Sequence, residues 1–597
     1  FYIKGGQTYI KKASGSSTTS SIVQFNEAKY GAGLYVEGTA ASGANHAEVD
    51  FENGAIKSNH AEEAGGGIYI SQYATLTMTG SSEVTDNYVD QPGKGGGVYK
   101  TGETSSVISV SGNSLKITDN YVKNEDNSHT VNNLFLYGPM DFLTVAGSQN
   151  LTGDIAVGIS IDEQTKPLDT RVIHGEFSVL NDIFTKMKNE FDGGEQSSFI
   201  TDDAHKYLPL FAGKPAPYTF DYIFFVKVCY SDYPTVPASY KDVNPLYIHN
   251  AEELAYFTMI VNGINLEEGG VNQNPDLEAF LVNDIVITET FGKWIPAGGF
   301  QQTGDEPYGG EFHGQGHTIS GLYTAGLPDI NEYGLFGVTS GAVIEDLNLT
   351  DLDIKSGESM HSALLIGEMN GGVVRNVVAS GLLDVCGSGE SSDGSGNSII
   401  GGLVGELING GSIINSMAMA EINADFMSAD LANMYNYDSR TVGGLVGVIT
   451  NGTVRNSFAN PKIIHGSWNP RYVGGLVAEN HGTIENCYVR LERGITLNQP
   501  YNGTKNPGYQ PNTNHSNFGM FAGFNDGTIK LCYYPDETIR VVGYHAGTTG
   551  QSCPVVKVNE GTYDNTCKIY HPVITPYEYD TYLIDNQVDN GAEETTT

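Results

Sequence analysis

Residues 402–415 read GLVGELINGGSIIN, residues 444–456 read GLVGVITNGTVRN and residues 475–486 read GLVAENHGTIEN. An apolar pair, a small residue, a glycine turn, an Ile or Val and an asparagine two residues later recur in the same order. Working outward, the unit returns as Gly334-Leu-Phe-Gly337 with Ile344 and Asp346, and as Leu364-Leu365-Ile366-Gly367 with Gly372, Val374 and Asn376. A sixth copy is Gly519-Met-Phe-Ala522 with Gly527 and Ile529, where Leu531 takes the asparagine's place. Turn glycines are spaced by about 30–45 residues. Core strands therefore repeat while the loops differ, as in a solenoid whose insertions project from one side. Asn376, Asn415, Asn456 and Asn486 form one candidate ladder. The residues after them include Ser416, Ser457 and Cys487, with Cys532 in the sixth copy, and these read as small packing residues on neighbouring coils.

A second array occupies residues 1–160. Gly-Ala-Gly-Leu-Tyr (31–35), Gly-Gly-Gly-Ile-Tyr (65–69) and Gly-Gly-Gly-Val-Tyr (95–99) recur, with a degenerate copy at Asn132-Asn133-Leu134-Phe135. Ahead of them stand Asn26, Asn59, Asn87 and Asn120, each three residues after Val or Ile. In Thr75-Leu76-Thr77-Met78-Thr79 the alternation places Leu76 and Met78 on one face. Stacked coils bring equivalent residues about 4.8 Å apart. An inward asparagine at one corner can then bond to its copies and satisfy turn carbonyls that cost about 1–3 kcal/mol each when orphaned. The glycines supply positive φ at the corner. The expectation is an all-β chain with two parallel β-helix segments, 1–160 and 250–550, joined by a small α/β connector over 161–249, and with an extension over 551–597.

The first array resembles the repeats of polymorphic outer-membrane-type adhesins, through Asn26-Glu27-Ala28, Asn59-His60-Ala61 and the Gly blocks. Gly33, Gly67 and Gly97 stand where that family often has Ala. That resemblance implies a right-handed coil. Residues 250–535 resemble GLUG-motif bacterial cell-surface proteins. The lead-in of that family is present here as the helix Glu252–Val261, Asp284-Ile285-Val286, Trp294-Ile295-Pro296 and Phe312-x-Gly314-x-Gly316-x-x-Ile319-x-Gly321-Leu322. The resemblance implies a secreted or surface protein, adhesins among them, and carries over no catalytic residue.

Between the arrays, Asn181 to Phe191 reads as a short helix, followed by a Pro-rich stretch and the strand Tyr222–Val226. Asn250 with Glu253 fits a helix N-cap with its reciprocal glutamate, Leu254, Phe257 and Val261 follow at helical spacing, and Gly263 ends the helix. Such a helix caps the end of a solenoid.

Composition narrows the partners. Glycine contributes 75 residues, and 70 acids against 31 bases give a formal charge of −39. That charge opposes a nucleic-acid footprint. No apolar run approaches the roughly 20 residues of a membrane span. Six cysteines are too sparse for a disulfide scaffold; Cys553 and Cys567 are the pair best placed to bridge. The start at Phe1, without an initiator Met or a signal peptide, fits a processed secreted fragment.

The chain has no H-E-x-x-H, phosphate-loop or G-x-S-x-G motif. An enzyme on a β-helix, a polysaccharide lyase or hydrolase, needs paired carboxylates. Asp202-Asp203 with His205, and Asp351 with Asp353, are the pairs on offer, the latter sharing one strand face. Oxygen-rich loops 124–129 and 391–397 leave calcium open, although neither has a known ligand spacing; no other cofactor is expected. Trp294, Tyr323, Trp468, Tyr472 and Tyr509 are the aromatics considered for stacking on sugars, most of them being expected to pack or anchor loops. The function expected is a non-catalytic extracellular adhesin or stalk with a carbohydrate or host/matrix protein ligand. The alternatives are the glycan-active enzyme and a self-associating filament subunit.

Overall fold

The computed structural model describes residues 1–11, 21–101, 106–111, 115–137, 142–145, 156–161, 169–175, 199–201, 207–212, 221–233, 236–264, 271–299, 306–325, 330–356, 360–385, 398–424, 438–465, 470–490, 495–497, 518, 519, 521–532 and 542–545, together with Val179, Leu180, Ile183 and Leu266. These residues are mostly β, in parallel sheets, and form two units, Phe1–Ser231 and Asp232–Thr597.

In the first unit each turn of the chain adds four strands to three sheets, two of them to the largest sheet and one to each of the others. One sheet stacks Gly6–Lys11, Ala47–Glu52, Ala74–Thr79, Val107–Ser111, Leu143–Val145 and Asp169–Gly175 in chain order. Pairing is parallel and in register, so Leu76 lies between Val49 and Ile108, and Met78 between Phe51 and Val110. All six are buried. Like stacks on like because the hydrophobic alternation has period two, and each large side chain so buried contributes about 1.5–3 kcal/mol.

The sheet does not stop at residue 160. Asp169–Gly175 extends it, then pairs antiparallel with Asp221–Lys227, which pairs antiparallel with Tyr207–Ala212. The segment expected as a separate connector is thus divided: up to Ser231 it belongs to the first unit, whose parallel stack it ends with an antiparallel hairpin. Val179, Leu180 and Ile183 are helical and buried in that unit's core; the other residues of the helix expected over 181–191 lie outside the described ones.

In the second unit the strand Leu246–Ile248, first of its long sheet, leads into α1, Ala251–Asn262. Asn250 accepts a hydrogen bond from the Glu253 amide at 3.0 Å, and Gly263 closes the helix at φ 74°. The Glu253 carboxylate reaches back one residue further than a capping box requires, to the His249 amide at 2.6 Å. Leu254 to Asn262 are buried, and Phe257 meets Tyr308, Phe312 and Phe336 edge-on. The helix therefore packs onto the first coils that follow it, as a cap does.

Each later coil runs through a long strand such as Val343–Lys355, then a short strand such as His361–Ser362, then a third such as Ile366–Asn370. The apolar signature residues Phe336, Ile366, Val404, Val446, Val477 and Ala522 form one buried column. In this column Ala522 pairs with Val477 and Gly519 with Gly474. The sixth copy is therefore Met520-Phe-Ala-Gly523, one residue later than the sequence pattern places it. A slip of one residue exchanges the faces of a strand, and Phe521 stacks on Leu476 only in the later register.

Candidate functional site

Asn59, Asn87 and Asn120 are fully buried. The amide oxygen of Asn59 accepts from the backbone N–H and the Nδ2 of Asn26 at 3.1 and 2.7 Å. Asn87 does the same for Asn59 at 3.0 and 2.8 Å, and Asn120 for Asn87 at 3.0 and 2.9 Å. Asn133 closes the series by accepting from Asn120 at 2.8 and 3.0 Å; the sequence marks it only as part of a degenerate block. Nδ2 of Asn87 also lies 2.9 Å from the Ile56 carbonyl and 3.0 Å from that of Thr85. The buried members Asn59, Asn87 and Asn120 are committed to the fold through both their amide oxygen and nitrogen.

The asparagines of the second array also bond from coil to coil, Asn376 Nδ2 to Asp346 Oδ1 at 2.8 Å, Asn415 Nδ2 to Asn376 Oδ1 at 3.4 Å and Asn486 Nδ2 to Asn456 Oδ1 at 2.7 Å. Asn376, Asn456 and Asn486 are less buried than the first column, however, and all four add a backbone role. Asn376, Asn415, Asn456 and Asn486 sit at φ 55°, 47°, 48° and 50°. Asparagine tolerates this left-handed region better than most residues. In the first array the left-handed residue is the one before each asparagine: Phe25, Ser58, Asp86 and Asp119. The inward position of the second array is thus the next residue, Ser416, Ser457, Cys487 or Cys532. Ser416 and Ser457 donate to the carbonyls two residues back at 2.8 and 2.7 Å, and accept the N–H of Val377 and Ser416 from the preceding coil at 3.2 Å each. Cys487 and Cys532 are free thiols, and burial raises the Cys532 pKa. Cys553 and Cys567 lie outside the described residues.

Asp351 and Asp353 line a groove of about 580 Å³ with Ser380, Leu382, Met419 and Glu421. A bulge makes it: Leu349 pairs with Ala379 and Leu352 with Gly381, so Thr350 and Asp351 together oppose Ser380. Asp351 takes φ 55° there and is exposed. Gly381 is needed opposite, because a Cβ would stand 2.5 Å from the Leu352 carbonyl oxygen. Lys355 bonds Asp353 Oδ2 at 2.9 Å and lies 5.4 Å above the Tyr323 ring; Asp353 holds its ammonium above the ordinary lysine pKa. Asp353 Oδ1 is buried without a hydrogen bond. Glu421, two coils beyond Asp353 with Leu382 between them, bonds Lys462 of the next coil at 2.6 Å. The groove thus presents carboxylates and an apolar floor, with one ammonium group ion-paired to a carboxylate at each end.

Two histidines are ringed by acids. His313 is bonded through Nδ1 to Glu345 at 2.7 Å, with Glu311 and Glu278 at 3.4 and 3.6 Å from Nε2, and Arg375 also binds Glu345. His361 lies among Glu332, Glu368 and Glu406. Burial alone would lower its pKa, but the carboxylates outweigh burial and raise it to about 9. Neither group carries a sequence motif: their members are contributed by three or four different coils.

The other expected positions fare unevenly. Trp294 is not a surface aromatic: it is buried and donates its indole N–H to the Leu335 carbonyl at 3.0 Å. Its lead-in segment passes beneath the coil that starts the repeats. Tyr323 and Tyr472 are half-buried. In the loop 124–129, Asp126 accepts from the N–H and hydroxyl of Ser128 at 2.8 and 2.5 Å, which lowers its pKa without any ion. Asp202, Asp203, His205, Trp468, Tyr509 and 391–397 lie outside the described residues. The aromatic row of the first unit is not singled out in the sequence: half-buried Tyr35, Tyr69 and Tyr99 and buried Phe135 stack at 4.9–5.7 Å. Their signal is the fifth residue of each Gly block.

No protein-family model matches this chain. A stretch of 194 residues, 32% of the chain, is 28% identical to Halomucin of Haloquadratum walsbyi. That stretch spans only 2% of Halomucin. No helix among the described residues is long and apolar enough to cross a membrane.

Proposed function

We propose that this chain is a non-catalytic segment of a large extracellular or cell-surface protein and that its second unit binds a carbohydrate in the Asp351–Glu421 groove. The carrying observation is the groove itself. Acceptors (Asp351, Asp353, Glu421) and donors (Lys355, Lys462) flank the apolar Leu382 and Met419, the mixture that a sugar's hydroxyls and C–H faces require. Intervals of variable length recur at one point of each coil: residues 326–331, 356–360, 385–398, 425–437, 466–469 and 498–517 each separate a strand of the 17-stranded sheet from the next strand of the six-stranded one. The likeness to a stretch of Halomucin is consistent with a place in a much longer chain. The reading keeps the right-handed coil and the GLUG-type assignment as its own expectations.

Glycan-array screening followed by calorimetry tests it. Binding is expected, with Asp353→Asn and Glu421→Gln each weakening it at least tenfold. No binding to any glycan class, or binding that ignores both substitutions, overturns it. A second reading, glycan cleavage, is favoured by carboxylates lying beside lysines. It predicts release of new reducing ends or unsaturated sugars from the bound glycan, lost in the same variants.

A further inference from the structure

We propose that the second unit holds a divalent transition-metal ion of the zinc type, ligated by His361 Nδ1, Glu332 and Glu368, with Glu406 as the outer partner that orients the histidine. The coil stacking gathers these residues. Glu332 and His361 are in register on one sheet, and Glu368 and Glu406 are in register on the next. A Cβ on Gly367 would meet Glu332 Cβ at 2.7 Å, and one on Gly405 would meet His361 Cβ at 3.2 Å. The signature glycines therefore leave the space in which the Glu332 and His361 side chains lie.

His361 is the decisive group. Its side chain is only 6% exposed. Nε2 bonds Glu406 Oε2 at 3.1 Å. The metal would displace the proton that the surrounding carboxylates hold on this ring, and a carboxylate on one nitrogen then fixes the tautomer that offers the other to the metal. Here that other nitrogen, Nδ1, is buried and makes no hydrogen bond. The nearest oxygens, of Glu332 and Glu368, stand at 3.6 and 3.8 Å. Those separations are too long for hydrogen bonds. They lie a few tenths of an ångström beyond the edge of a tetrahedron with metal–ligand bonds of about 2.0–2.1 Å, which is about 3.4 Å. Three carboxylates around one imidazole also leave negative charge that a dication would neutralise. The nitrogen donor and small ligand number select zinc-type ions over calcium. The His313 group makes a useful contrast, because its Nδ1 is already bonded to Glu345.

The test uses the full chain stripped with EDTA and titrated with Zn²⁺, and with Co²⁺ read by visible absorption. Saturable binding at this site is expected, with a tetrahedral cobalt spectrum. His361→Gln and Glu368→Gln should weaken it about 100-fold and Glu406→Gln about 10–100-fold, the range seen for outer-shell partners, while His313→Gln leaves it unchanged. Circular dichroism checks that each variant folds. X-ray absorption on the wild-type zinc form adds a readout independent of the variants, with one imidazole nitrogen and otherwise oxygen donors expected. No saturable binding, binding indifferent to His361→Gln in a folded variant, or a zinc shell without a single imidazole overturns the proposal.

Discussion

At the scale of single residues, two asparagines that look alike in sequence predict opposite mutational behaviour. Asn87 is buried and its amide bonds neighbours on both sides, whereas half-buried Asn376 is placed by its backbone at φ 55°. Asn87→Gly should cost about 3–5 kcal/mol, since several buried groups lose partners worth about 1–3 kcal/mol each. Asn376→Gly should cost only about 1 kcal/mol, because glycine adopts the same φ freely and the bonds lost to Asp346 and Asn415 are only part-buried. Denaturant midpoints of the two variants check the pair, and equal losses would contradict the assignment. The repeated asparagines were legible in the sequence. The one-residue offset between the two arrays was not, because a motif records residue type and cannot say whether the side chain or the φ angle is what matters.

His481 gives a prediction in pH. Its hydrogen bond to Glu479, helped by Asp526, raises its pKa above the ordinary 6.5. A raised folded pKa stabilises fully below the unfolded value and loses that stabilisation as pH climbs through the folded one. The thermal midpoint of the wild type should therefore fall, relative to that of His481→Gln, as pH rises from 6.5 through the raised value. Parallel curves would show that the pair contributes nothing.

At the scale of strands and corners, in-register stacking makes every residue answer to its copies one coil away. Gly67 has no need of positive φ, yet a Cβ there would stand 2.7 Å from the Gly97 carbonyl oxygen and 3.0 Å from Asn87 Nδ2. This accounts for glycine where the resembling repeats carry alanine: the asparagine column leaves no room. Gly67→Ala should destabilise by about 1–3 kcal/mol, the usual cost of overpacking, measured by urea unfolding. Charges obey the same geometry. Arg455, Glu485 and Lys530 alternate in sign along one column. Glu485→Lys would set three cations in a row and should cost about 1 kcal/mol, largely recovered in high salt. The groove was only half legible at this scale. Asp351 and Asp353 could be paired from their spacing, but Glu421 and Lys462 join them only through register, which depends on the length of every intervening loop.

At the scale of the whole molecule, 70 acids against 31 bases leave a large surplus of like charge. Self-repulsion of this size opposes compaction and is screened by salt. Raising NaCl from about 0.05 M to about 1 M, where the screening length falls to about 3 Å, should raise the thermal midpoint; a fall would mean that the ion pairs outweigh the repulsion. The division at residue 231 also belongs to this scale. Sequence composition marks the end of a repeat, but the sheet continues past it, because a backbone edge accepts a new strand whatever its motif.

The confinement of length variation to one junction of the coil has a practical corollary. Neighbouring coils are held by backbone pairing on three sheets, and the covalent link at that junction is only one of the ties between them. If a protease recognition sequence replaced residues 386–397, the severed halves of the second unit should still travel as one particle on a sizing column and come apart only in denaturant. Chain continuity and structural continuity would then be separable properties of the same molecule.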